Sequence, residues 1–302
     1  MDRRKFLGKS LVASAFTAFP FSLQASFNKK KPPFHLNYAP HFGMFKNLAP
    51  GGILDELDFM AEHGFRSIED NGMKTRSIQM QKQIASRMER HGMVMGVFVA
   101  HTIYWSEANL ASGNLNRRAE FLKEIEESVE VAKRVNARWM TVVPGHMDMQ
   151  KDMGYQTAYV VESLKQAAAI LEPHGLVMVI EPLNPRDHPG LFLSKAAQAY
   201  AVCKAVNSPS CKILFDIYHQ QITEGNLLPN IDATWEEIAY FQVGDNPGRK
   251  EPTTGEINYL NVFHHIHSKG FDGIVGMEHG NSQSGKEGEQ KVISAYRTVD
   301  DF

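Results

Sequence analysis

Short apolar runs alternate with longer amphipathic stretches from residue 34 to the end of the chain, and the two kinds of segment carry different periods. The short runs predict strands at 34–39, 65–69, 94–99, 139–143, 177–181, 212–216, 239–243 and 273–278. Val177-Met178-Val179-Ile180 and Ile213-Leu214-Phe215 are apolar at every position, which is what a parallel strand covered on both faces requires. Between them the 3.6-residue period predicts helices over 53–63, 78–91, 117–135, 156–174, 194–206, 260–269 and 287–299, with a shorter one over 235–238 and the loop before it. Eight strand-helix units in succession predict an α/β (β/α)₈ barrel, a TIM barrel, as a single domain over residues 34–302.

Several helical stretches stop at Gly preceded by His or Lys: His63-Gly64, His91-Gly92, His174-Gly175 and Lys269-Gly270. A left-handed Gly and a cation at a helix C-terminus are stop signals, so these histidines are expected as caps and not as ligands. With 43% hydrophobic and 22% charged residues in 302, the chain can bury a full core without staples. A net charge of -2 leaves no broad cationic surface for phosphate backbones, so no nucleic-acid partner is expected. The two cysteines, Cys203 and Cys211, are expected as buried free thiols, their pairing being unreadable from sequence.

The first residues stand apart. Arg3-Arg4-Lys5-Phe6-Leu7 precedes an uncharged, apolar stretch over 11–27 that includes Ala25. A charged start, a short apolar core and a small residue near its end predict an export signal over 1–26, followed by a basic, Pro-containing linker over 27–33. The arginine pair followed by Phe-Leu resembles a twin-arginine motif, which implies export of the folded protein, a periplasmic location and no stable membrane insertion once the signal is removed.

What ends the later strands carries the chemistry. Glu181 closes the fifth apolar run, Asp216 the sixth, Gln242 follows Tyr240-Phe241 in the seventh, and Glu278 closes the eighth. Strand ends of such a barrel converge on one rim, so these side chains are expected around one point. Three carboxylates there repel one another unless a cation intervenes, and oxygen ligation by Glu181, Asp216, Gln242 and Glu278 suits Mg²⁺ or Mn²⁺. His219, three residues after Asp216, is a candidate for contact with a substrate oxygen. Arg249 and Arg186 are candidates for an anionic end of the substrate, because guanidinium pairs with carboxylate in two-point fashion. Residues 244–255, rich in Gly and Pro, are expected as a loop over the rim.

The segment Ile180-Glu181-Pro182-Leu183-Asn184, with Arg186-Asp187-His188-Pro189-Gly190 after it, resembles the hydroxypyruvate isomerase family. So do Phe215-Asp216-Ile217-Tyr218-His219-Gln220 and Gln242-Val243-Gly244-Asp245-Asn246-Pro247-Gly248-Arg249. The resemblance spans most of residues 176–278 and implies a barrel of the xylose-isomerase-like superfamily. It further implies Glu181 and Glu278 as the acid/base pair, with Asp216 and Gln242 beside them as metal ligands. Glu69, at the end of the second strand, fits the same pattern. Residues 98–105 and 145–149 fall outside it.

The expected activity is a metal-dependent interconversion of hydroxypyruvate and tartronate semialdehyde, or of a similar small hydroxy-carbonyl compound. Moving a proton between adjacent carbons needs one group to remove it and one to return it. A ketose 3-epimerase or sugar isomerase is the alternative on the same chemistry. A metal-dependent phosphodiesterase would call for a richer histidine cluster and a basic groove, and a non-catalytic carbohydrate-binding barrel would have no use for the Glu181/Glu278 pair. The partner expected is the small-molecule substrate, with a homo-oligomer left open.

Overall fold

All eight expected strands are present in the computed structural model, which describes residues 33–302, and most are shorter than their apolar runs. In chain order the elements are β1 (Asn37–Ala39), α1 (Ile53–Glu62), β2 (Ser67–Ile68), α2 (Ile78–His91), β3 (Val94–Met95), α3 (Leu115–Val135), β4 (Trp139–Val142), α4 (Met153–Leu171) and β5 (Val177–Ile180). There follow α5 (Ala196–Val206), β6 (Cys211–Asp216), α6 (Ile217–Thr223), α7 (Leu227–Thr234), β7 (Ile238–Gln242), α8 (Tyr259–Ser268), β8 (Ile274–Gly276) and α9 (Gly285–Val299). Every strand pairing is parallel.

Six strands run β1-β8-β7-β6-β5-β4 in one curled sheet, and β2 pairs with β3. Single parallel bridges join the two parts, His41 to Glu69 on one side and Met95 to Ala137 and Val99 to Thr141 on the other. The ring is therefore the TIM barrel expected. Its inner wall is a small apolar cluster of Ala39, Val97, Val177, Val179, Leu214, Tyr240 and Ile274, with Trp139 against it. Residues of the opposite parity, such as Met178, Ile180, Phe215, Phe241 and Val275, pack outward in the larger core under the helices. Each such side chain buried contributes about 1.5–3 kcal/mol, which is why runs apolar on both faces end up here.

The stop signals hold. Gly64, Gly92, Gly175 and Gly270 all take positive φ, at 93°, 65°, 63° and 77°. Ser77 caps α2 by accepting from the Met80 amide, and Asn114 caps α3.

One expectation is corrected. Residues 235–238 are not an α-helix: Trp235–Glu237 is a single 3-10 turn, and Ile238 already belongs to β7. The helical connection lies earlier, in α6 and α7. Seven residues of α6 are too few to show a period, and Pro229 disguises α7 although it sits in the first turn, where no backbone donor is missed.

Cys203 and Cys211 are both buried free thiols. The expected export signal lies outside the described residues, and among those described no helix is long and apolar enough to cross a membrane.

Candidate active site

Inward parity continues past each strand's last apolar residue, and that is what gathers the polar groups. Val177 and Val179 face the axis, so Glu181 does too; Leu214 is followed by Asp216, Tyr240 by Gln242, and Ile274 by Gly276 and Glu278. Register puts them level, since Asp216 pairs with Gln242 and Gln242 with Gly276. Asp216 divides its carboxylate between two tasks. Its Oδ1 accepts from the Tyr218 amide at 2.8 Å and caps α6, while its Oδ2 lies 3.3 Å from the Arg249 guanidinium and 3.5 Å from His219 Nε2.

Arg249 bridges the cluster, donating to Glu278 Oε2 at 2.7 Å as well as to Asp216. Asn71, just beyond β2, donates to the other Glu278 oxygen at 2.9 Å. Burial, with the Glu278 and Asp216 carboxylates adding to it, holds the Glu181 carboxyl well above its ordinary range. Burial also raises Asp216, against the pull of Arg249. Glu69 is raised in the same way, by burial first and then by Glu278.

The chemistry of the donors fits a divalent cation. Gln242 Oε1 and Glu69 Oε1 are buried and have no hydrogen-bond partner, and they sit beside carboxylates whose mutual repulsion a cation would relieve. Glu181, Asp216 and His219 each offer a ligand atom within 4.8 Å of the others.

His219 is nevertheless better suited to donate. Asn184 Oδ1 accepts from the backbone amides of Arg186 and Asp187, which fixes its Nδ2 as the donor to His219 Nδ1 at 2.7 Å. Burial and the nearby Arg249 charge push His219 down to about 3, so the ring is neutral. A neutral ring that accepts at Nδ1 carries its proton on Nε2. That N–H lies 3.9 Å from Glu181 and 3.5 Å from Asp216, too far for good hydrogen bonds, and has no partner within the protein. A substrate oxygen would satisfy it.

The two expected arginines separate. Arg249 lies among the carboxylates instead of reaching beyond them. Arg186 is exposed and lines a rim cavity of about 460 Å³ with Asp187, Tyr218 and Asn246, outside the carboxylate cluster. Residues 244–255 do form the rim loop, pinned where Asp245 accepts from the Gly255 and Ile257 amides and Glu251 from the Ser282 amide. Two residues beyond the expected set shape the mouth: Trp105 stacks on His188 at 5.1 Å, and His188 meets His219 edge-on at 5.4 Å. Asn71 and His41 line a further cavity of about 280 Å³ with Glu69 and Glu278. Only an aromatic in a loop otherwise outside the resemblance could have signalled Trp105.

A family model described as a xylose isomerase-like TIM barrel matches residues 57–299. The chain is 30% identical over 228 residues to a 2-oxo-tetronate isomerase of Cupriavidus necator, covering 75% of this chain and 86% of that protein. It is 29% identical to a hydroxypyruvate isomerase of Escherichia coli over 81% of this chain and 96% of that one. A solved structure described as an AP endonuclease, family 2, from Brucella melitensis superposes with a TM-score of 0.74 at 26% identity, over 85% of this chain and 96% of the other.

Proposed function

The chain belongs to the xylose isomerase-like TIM barrel family, and on that premise we propose that it is a divalent-metal-dependent isomerase of a small hydroxy-carbonyl acid, of the hydroxypyruvate or 2-oxo-tetronate kind. One observation carries the reading: Glu181 and Glu278 face the barrel axis from β5 and β8 with Asp216 between them. A cation held by Glu181, Asp216, Gln242 and Glu278, Mg²⁺ or Mn²⁺ by its oxygen ligands, would polarise the substrate carbonyl and offset negative charge on the neighbouring oxygens.

The residues themselves divide the proton work. Glu181, facing the axis beside Asp216 and within 3.9 Å of the unpartnered His219 Nε2–H, is placed to take the proton from carbon. Glu278, held from both sides by Asn71 and Arg249, is placed to return a proton at the adjacent carbon. His219 Nε2–H donates to the substrate oxygen and orients it. A phosphodiesterase reading has less support, because the metal-capable group among the described residues contains one histidine and the net charge is slightly negative.

The test is conversion of a panel containing hydroxypyruvate, 2-oxo-tetronates and free ketoses, followed by proton NMR. Interconversion of a keto acid ahead of the ketoses is expected, and a panel in which nothing is converted would sink the isomerase reading.

We also propose folded export directed by Arg3-Arg4. Replacing both with Lys keeps the charge and should leave the precursor in the cytoplasm, as read by fractionation. Unchanged export of that variant would rule out the twin-arginine route and leave the barrel chemistry untouched.

A further inference from the structure

Beneath the proposed metal site lies a network that the expected chemistry does not use. Glu69 is 1% exposed, and a single one of its oxygens, Oε2, accepts from the Tyr240 hydroxyl at 3.1 Å and from Gln242 Nε2 at 3.2 Å. The Tyr240 hydroxyl in turn accepts from the Val97 amide at 3.4 Å.

Space for this network is made by two glycines. A Cβ on Gly276 of β8 would stand 2.0 Å from Glu69 Oε2 and 2.9 Å from Gln242 Cγ. A Cβ on Gly96 would stand 2.4 Å from the Tyr240 hydroxyl and 3.3 Å from Glu69 Cβ. Neither position is required by positive φ, so what glycine provides there is room.

We propose that Glu69 is a positioning residue that locks the Gln242 side-chain amide with its carbonyl oxygen toward the divalent cation, the inference resting on the metal-dependent reading above. The two ends of a glutamine amide are nearly the same size, so packing alone cannot decide which end faces the site. A carboxylate can. The Tyr240 hydroxyl accepts from the Val97 amide and so turns its proton to Glu69 Oε2, which makes Oε2 an acceptor for Gln242 as well; the NH₂ must turn to Glu69 and Oε1 must turn away, where it is buried without a protein partner. The wrong orientation would aim N–H bonds at a cation. Outer partners that orient a metal ligand typically contribute about 10–100-fold in metal affinity.

Mn²⁺ titration by calorimetry on the full-length protein tests this, with thermal midpoints recorded for every variant. Glu69→Asp keeps the charge but withdraws the oxygen from Gln242, and should weaken Mn²⁺ binding by about 10–100-fold. Glu69→Gln, which can present either end to Gln242, should weaken binding in the same way, whereas in a Gln242→Glu background, where both ends of the 242 side chain are oxygens and nothing needs locking, it should cost little. If Glu69 acted through charge alone, the Asp variant would bind as the wild type does, and that result would overturn the proposal. Should the Asp variant not fold, the Glu69→Gln comparison decides: a loss confined to the Gln242 background supports the lock, and an equal loss in both backgrounds overturns it. A wild-type protein that binds no Mn²⁺ would remove the metal reading and this inference together, whereas equal binding by wild type and Glu69→Asp removes the inference alone.

Discussion

Glu278→Gln is expected to lower turnover by about 10²–10⁴-fold, and Glu181→Gln to do the same, each with a fold as stable as the parent's. The substitution keeps the shape and an oxygen toward the cation but removes the ability to carry the proton together with one negative charge, so at saturating metal the loss should appear in kcat more than in KM. Stability gives an independent check on Glu181. Its carboxyl is held above the ordinary range by burial and like charge, so the ionised form is disfavoured in the folded state. In metal-free protein, removing that charge should leave the thermal midpoint unchanged or raise it at neutral pH. A Glu181→Gln or Glu278→Gln enzyme with near-normal turnover would show that the residue serves only as a ligand or a brace, and the two-carboxylate mechanism would have to be given up.

Asp216→Ala is expected to cost the most in metal affinity, more than about 100-fold, because a ligand should matter at least as much as the groups that orient it. It should also destabilise the fold by about 1 kcal/mol, since Asp216 Oδ1 caps α6 through the Tyr218 amide. Asp216→Asn separates the two effects. An asparagine oxygen can still cap the helix but brings no charge to the site, so binding should fall while the thermal midpoint stays close to that of the parent. Calorimetric titration with Mg²⁺ and Mn²⁺ beside thermal melts of both variants reads this directly. Undiminished binding by Asp216→Ala would place the cation elsewhere.

The barrel was legible because its cause is local and repeated. Runs such as Val177-Met178-Val179-Ile180 are apolar at both parities, and at so short a length, after the Gly175 stop, they suit a strand covered on both faces better than a helix. The gathering of Glu181, Asp216, Gln242 and Glu278 followed from the same periodicity carried one step past each strand end. What stayed hidden depends on contacts between parts distant in sequence. Asn71 reaches Glu278 across 207 positions, and Glu69 reaches Gln242 across 173, so no local pattern announces either pair. His219 was legible as a substrate contact, but the state of its ring follows only from Asn184, 35 positions away and fixed by its own turn. Arg249 and Arg186 were both candidates for an anionic end of the substrate; the rim loop carries Arg249 into the carboxylates, whereas Arg186, in the turn after β5, stays in solvent. The short helices α6 and α7 were missed for want of length, since seven and eight residues hold barely two turns each.

Two carboxylates that move a proton between adjacent carbons in an open site must exchange it with solvent. The most direct measurement is deuterium incorporation from D₂O at the carbon beside the carbonyl, followed by NMR on the keto acid that the panel identifies. Wild-type protein with Mg²⁺ or Mn²⁺ should exchange that hydrogen, chelator should stop it, and restored metal should bring it back. Isomerisation with no solvent deuterium in the product, or exchange indifferent to chelator, would contradict the account.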